Sequence, residues 1–106
     1  MTTLASAIAA FRARNPAPAA FEAFAQDCAA LARTDPLNAG FYVLLGLLAR
    51  DFTDKSEGQP LTSSAALEAK ADLSAQAERV APALSLGPEA KLALLNDLAH
   101  ALACGR

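Results

Sequence analysis

Three side chains able to bind a metal ion or move a proton lie close together near the C-terminus. Asp97, His100 and Cys104 are separated by three and four residues, and His100 is the only histidine of the chain. On a helix these spacings place all three on one face. They would make a partial metal site that needs a fourth donor, and the alternative is a polar face in contact with water. Because no fourth ligand can be identified, we predict no metal site.

The remaining reactive groups also have structural interpretations. Cys28 and Cys104 form no CxxC pair, which excludes a zinc knuckle and a thioredoxin-like redox pair. Cys28 falls among apolar residues at helical spacing and is predicted to be a small buried side chain. Asp51 and Asp54 lie three residues apart, but basic residues flank them, which favours salt-bridged surface carboxylates. Phosphate loops, nucleophile elbows and HExxH motifs are missing, so we predict no catalytic residues, no cofactor and, on balance, no enzyme.

Tyr42 is the only tyrosine, and it interrupts the most apolar stretch of the chain, residues 37 to 49. A buried hydroxyl group needs a hydrogen-bond partner. The hydroxyl could point into a ligand cavity, or it could bond across a subunit interface, and we favour the second interpretation.

Length, composition and charge exclude several classes of protein. A chain of 106 residues with 54% hydrophobic residues is expected to fold as one domain, residues 1 to 106, and not to be disordered. The net charge is −2 and the basic residues are scattered, so no nucleic-acid partner is predicted. The apolar stretch is about 13 residues long, well short of the roughly 20 that span a bilayer. With no signal-peptide pattern at its start, the protein is predicted to be cytoplasmic.

Abundant alanine and leucine, without clusters of β-branched residues, predict an all-α fold. Helical spacing of apolar residues, interrupted by Pro, Gly, Asp and Ser, marks about five helices. Asp35 is predicted to cap the third helix with its side chain. We therefore predict a single compact bundle with a buried central third helix. The expected bounds are 3 to 14, 17 to 33, a third helix from 36 to about 52, a fourth from 62–64 to before Pro82, and 88 to 103.

The apolar pattern also predicts which side chains face the core. The fourth helix should turn Leu67, Leu73, Ala77 and Val80 inward. The fifth should turn Leu92, Leu95, Ala99 and Leu102 inward, with Leu94 and Leu98 beside them. The third helix should bury Leu37, Phe41, Leu44, Leu48 and Phe52. The stretch around Phe41 could also be a buried strand, but no partner strand is apparent.

A second apolar face remains on the third helix. Glycine inside a helix costs about 1 kcal/mol relative to alanine, so Gly46 indicates that another backbone comes close there. The residues assigned to this face are Ala39, Tyr42, Val43, Gly46 and Arg50.

Two functions of different classes follow from this surplus apolar surface. The leading prediction is a non-enzymatic protein-protein interaction module that forms a homodimer through the second face or binds another protein there. The alternative is a bundle that binds a small apolar ligand in a pocket lined by Phe24, Phe41 and Tyr42.

Overall fold

The computed structural model describes residues 3–56 and 62–104, and the regular structure in these two segments is entirely helical. The predicted all-α bundle is confirmed, and the stretch around Phe41 is helix. A short 3-10 helix, Pro36–Asn38, precedes the third α-helix. The five described α-helices are α1 (Leu4–Ala13), α2 (Pro18–Thr34), α3 (Ala39–Ser56), α4 (Ser63–Ala83) and α5 (Pro88–Ala103).

Local capping chemistry accounts for most helix starts. Thr3 and Ser6 form a reciprocal capping box at α1, which satisfies backbone amides that have no partner in the first turn. The Thr62 hydroxyl accepts a hydrogen bond from the Ala65 amide and caps α4. Pro18 and Pro88 occupy the first positions of α2 and α5, where the missing N–H costs nothing.

Two boundary predictions differ from the structure, and a third falls largely outside the described residues. α3 begins at Ala39, after the 3-10 helix, and the Asp35 side chain caps no backbone amide. α4 continues through Pro82 to Ala83, since a proline in the last turn removes one hydrogen bond while the Leu84 amide still reaches the Val80 carbonyl. The predicted loop at 56–60 lies outside the described residues except for Ser56, which ends α3.

The core lies where α1, α2, α3 and α4 meet, and it is built from the few large side chains of an alanine-rich chain. The Phe11 ring contacts the rings of Phe21 and Phe24, with centroids 5.1 Å apart in each case. Tyr42 brings a hydroxyl group into this core. Apart from it, the buried side chains among the described residues are apolar. The largest fully buried side chains are Phe11, Phe21, Phe24, Leu45, Leu98, Val80 and Cys28.

The predicted core stripe of α3 is rotated from the observed one. Leu44, Leu48 and Phe52 are only partly buried, and Leu37 is 90% exposed because it belongs to the 3-10 helix. α3 packs against α2, α4 and α5, and these neighbours together cover a different set of positions. The buried residues of α3 are Phe41, Tyr42, Leu45, Gly46 and Ala49.

Three further residues predicted to face the core, one in α4 and two in α5, are exposed. Leu67 is exposed, and the neighbouring Ala66 is buried in its place. In α5, Leu92 and Ala99 are exposed, whereas Leu98 is fully buried. Because both helices are apolar on more than one side, their sequence periodicity leaves the rotation open by about one residue.

Gly46 packs closely against α2, as a glycine inside a helix predicts. A Cβ atom at Gly46 would lie 3.6 Å from the Cys28 Cβ and 3.7 Å from the Ala25 carbonyl oxygen. Both distances are ordinary van der Waals contacts, so alanine fits and a larger side chain does not.

Replacement of Gly46 by alanine is therefore expected to raise the free energy of unfolding by about 1 kcal/mol, the helix-propensity difference between the two residues. Gly46→Leu should instead lower it by about 1–3 kcal/mol through overpacking. Urea unfolding followed by circular dichroism measures both changes. A strongly destabilised Gly46→Ala protein would show that α2 and α3 are closer than described.

Candidate functional site

The Tyr42 hydroxyl has a hydrogen-bond partner, as its burial predicts, but the partner belongs to the same chain. Tyr42 donates to Asp35 Oδ2 at 3.1 Å, and Asn38 Nδ2 donates to the same oxygen at 2.9 Å. Lys91 Nζ in turn donates to Asn38 Oδ1 at 3.0 Å. Burial, and then the hydrogen bond and charge of Asp35, raise the pKa of Tyr42. The hydroxyl therefore serves to join the end of α2 to α3, and no second subunit is needed to satisfy it.

The three residues predicted to line a ligand pocket do not line a common cleft. Phe24 and Phe41 are buried in the core, and Phe24 is in ring contact with Phe11. Tyr42 alone of the three lines an open cleft of about 600 Å³, beside Asp35 and Leu84. The polar groups that this cleft offers are Asp35, Thr3, Thr34 and the Tyr42 hydroxyl, and each already has a hydrogen bond inside the chain.

The predicted interface residues fall on two different surfaces of α3. Tyr42 and Gly46 are buried against the rest of the bundle, and Ala39 is partly buried. Val43, with 49% of its surface exposed, and Arg50 face solvent. The assignment of Tyr42 and Gly46 to an outward surface is wrong because α2 packs on their side of the helix.

An exposed apolar surface nevertheless remains on α3. Leu47 is 44% exposed and lies one turn after Val43, and Gly40 and Arg50 are exposed at the two ends of the same line. We call Gly40, Val43, Leu47 and Arg50 the outer face of α3. Leu47 was not among the residues predicted for this face, although its spacing of four from Val43 and three from Arg50 places it with them.

α5 flanks this outer face and extends its apolar character. A Cβ atom at Gly40 would lie 3.4 Å from Leu95 Cδ1, so the two helices are in contact there. Leu92 and Ala99 lie three residues before and four after Leu95, hence on its side of the helix. Leu92 is 58% exposed and Ala99 is also exposed. The apolar surface therefore spans two helices.

The candidate metal ligands near the C-terminus separate into different interactions. Asp97 Oδ2 accepts from Arg79 Nη2 at 3.2 Å, forming an exposed salt bridge with α4. His100 Nε2 lies 3.6 Å from Cys104 Sγ. In the part of the chain that the structure describes, no three His, Cys, Asp or Glu side chains are grouped to hold a metal ion.

Cys28 and the acidic pair have structural surroundings. Cys28 is fully buried, and burial raises the pKa of its thiol to about 12, so it is unreactive at neutral pH. Asp51 pairs with Lys55 at 2.9 Å, one helical turn away. Asp54 is exposed. The structure therefore brings Cys28, Asp51 and Asp54 into no catalytic arrangement.

Comparison of the chain with protein-family models, with curated proteins and with solved structures finds no match in any of the three. Across residues 3–56 and 62–104, none of the helices combines the length and apolar character required to cross a membrane. The fold defines the chain as an all-α helical bundle. Its outer face on α3 exposes two large apolar side chains, Val43 and Leu47.

Proposed function

We propose that this chain is a protein-protein interaction module that pairs with a second copy of itself through the outer face of α3. The observation that carries the proposal is the half-exposure of Val43 and Leu47 on a helix that three other helices already cover. Adjacent apolar side chains on the surface of a small domain favour association. A two-fold homodimer is the commonest way to bury such a surface.

The order of residues along the outer face supports a second copy in the antiparallel orientation. Its one charged residue, Arg50, lies at one end, and Gly40, which has no side chain, lies at the other. A two-fold axis between Val43 and Leu47 brings Val43 of one protomer against Leu47 of its partner. The same axis places each Arg50 over a Gly40, whereas a parallel pairing would oppose the two Arg50 side chains. The face is therefore complementary to itself in one orientation.

The available area indicates a dimer that dissociates on dilution. A standard interface buries about 800 Å² on each partner, more than two half-exposed side chains of α3 supply. Leu92 and Ala99 on α5 must therefore contribute to the contact. A dissociation constant of about 1 μM corresponds to about 8 kcal/mol of binding free energy, and we expect an affinity near or below that level.

Sedimentation equilibrium over a wide concentration range tests the proposal. The wild-type chain is expected to change from monomer to dimer as its concentration rises. Leu47→Lys should weaken association by at least about tenfold, or about 1.4 kcal/mol, because it places a charge against the partner's Val43. Unfolding of Leu47→Lys measured in parallel should change little, since the side chain is already half exposed.

The matched control is Leu67→Lys on α4, a leucine of similar exposure that is not part of the outer face of α3. It should leave the monomer-dimer equilibrium unchanged. A wild-type chain that remains monomeric up to about 1 mM would contradict the proposal, because a dissociation constant of that size corresponds to only about 4 kcal/mol of binding free energy. Equal effects of the two lysine variants would also contradict it. If a different protein binds the outer face of α3, that protein, and not a second copy of this chain, is its partner.

Ligand binding beside Tyr42, the other predicted function, has less support. Asp35 Oδ2 is already shared by Tyr42 and Asn38, so a ligand would have to compete with internal hydrogen bonds. The core positions of Phe24 and Phe41 remove the aromatic lining that the prediction relied on. The outer face of α3 therefore carries the proposed function.

A further inference from the structure

A second cleft lies between α3, α4 and α5, on a part of the bundle that the outer face of α3 does not use. Its volume is about 260 Å³. Phe52 forms part of its floor and stacks on Phe21 with centroids 4.1 Å apart, which holds the ring in place. The other apolar lining residues are Leu48, Ala69, Leu73, Ala75 and Ala101.

Small side chains open this cleft. Ala69 of α4 and Ala101 of α5 both line it, and leucine at either position would occupy part of its volume. Ala101 is only partly buried, and the cleft occupies the space beside it. The floor is thus apolar, partly aromatic and accessible from solvent.

The polar residues around the cleft carry net negative charge. Asp51 and Lys55 on the α3 wall neutralise one another through their ion pair at 2.9 Å. On the α4 wall, Gln76 accepts a hydrogen bond from Arg79, and Arg79 is also paired with Asp97. Asp72, the remaining charged residue of the lining, is exposed and makes no ion pair or hydrogen bond with another residue in 3–56 or 62–104.

We propose that this cleft binds a small amphiphilic cation, with an aromatic or other apolar body against Phe52 and an ammonium group directed to Asp72. Apolar pockets with a few polar groups at their edge are the usual form of small-ligand sites, in which the polar groups set orientation and specificity. The unpaired carboxylate selects a cation over an anion of the same shape. This site is independent of the proposed homodimer, because its residues lie outside the outer face of α3.

Two probes that share a phenyl ring and a three-carbon chain test the proposal: 4-phenylbutylamine and 4-phenylbutanoate. Chemical-shift titration of the wild-type chain is expected to give about millimolar affinity for the amine, as the size of the probe implies. The acid should bind about fivefold more weakly, the effect expected of an ion pair at an exposed site. The shifted amides should belong to α3, α4 and α5 around the cleft.

Variants separate the apolar contribution from the electrostatic one. Asp72→Asn should remove the preference for the amine, whereas Asp54→Asn, a carboxylate outside the cleft lining, should keep it. Ala101→Leu should abolish binding of both probes, and Ala69→Leu serves the same purpose if the first variant does not fold.

Equal binding of the two probes, or a preference that survives Asp72→Asn, would overturn the proposal, as would no amine binding at all. Leu47→Lys should bind the amine normally, so failure of the homodimer and failure of this site are distinguishable.

Discussion

Replacement of Phe24 by alanine is expected to lower the free energy of unfolding by about 3–5 kcal/mol. Phe24 is fully buried, and its ring contacts Phe11 across the junction of α1 and α2. An alanine-rich core contains few large side chains, so little else can move in to fill the cavity. Small domains have about 5–15 kcal/mol of stability in total, and the variant should therefore be partly unfolded at physiological temperature.

Thermal and urea unfolding measure this loss, with Leu37→Ala as the matched control. Leu37 is 90% exposed, and its truncation should change stability by no more than about 0.5 kcal/mol. The pair compares a buried and an exposed apolar residue that the apolar pattern alone does not distinguish. A large loss for Leu37→Ala would mean that this side chain is covered, either in the fold or in an assembly.

Replacement of Leu98 by alanine is expected to release α5 from the bundle. Leucine-to-alanine changes in a core cost about 2–5 kcal/mol, and Leu98 is the one side chain of α5 described as fully buried. Leu94 and Leu95 are only partly buried. The exposed Arg79–Asp97 ion pair contributes little, since surface pairs are worth about 0–1 kcal/mol.

Amide hydrogen exchange measures this release helix by helix. In the Leu98→Ala variant, protection should fall in α5 by more than it falls in α2 and α3, because local opening of α5 no longer exposes a large buried side chain. Leu92→Ala, in the same helix but 58% exposed, should leave protection nearly unchanged. Protection of α5 that persists after Leu98→Ala would contradict the packing described for this helix.

Loss of α5 would also affect both proposed sites, but in different ways. The small-molecule cleft includes Ala101 of α5 as a wall, so amine binding should disappear with the helix. The outer face of α3 retains Val43 and Leu47, and loses only the flank formed by Leu92 and Ala99. We therefore expect Leu98→Ala to weaken homodimerisation less than it weakens amine binding.

Local chemistry in the sequence was enough to predict the helices. Prolines at the first positions of α2 and α5, and a hydroxyl cap before α4, act within one turn of where they occur. Apolar spacing indicated which residues share a helix face, as in Leu73, Ala77 and Val80. The close approach of a second backbone at Gly46 was also predictable, since an interior glycine needs a packing reason.

The orientation of each helix, by contrast, depended on its neighbours in three dimensions. α3 is apolar on nearly every side, so its pattern could not tell whether Tyr42 faces the core or solvent. The packing of α2 against Gly46 turns Tyr42 inward, where Asp35 accepts its hydrogen bond, and leaves Leu47 outside. The same ambiguity placed Leu98 beside the predicted inward residues of α5, although it is the one that is fully buried. Periodicity records which side chains point the same way, but the direction itself is set by where the other helices pack.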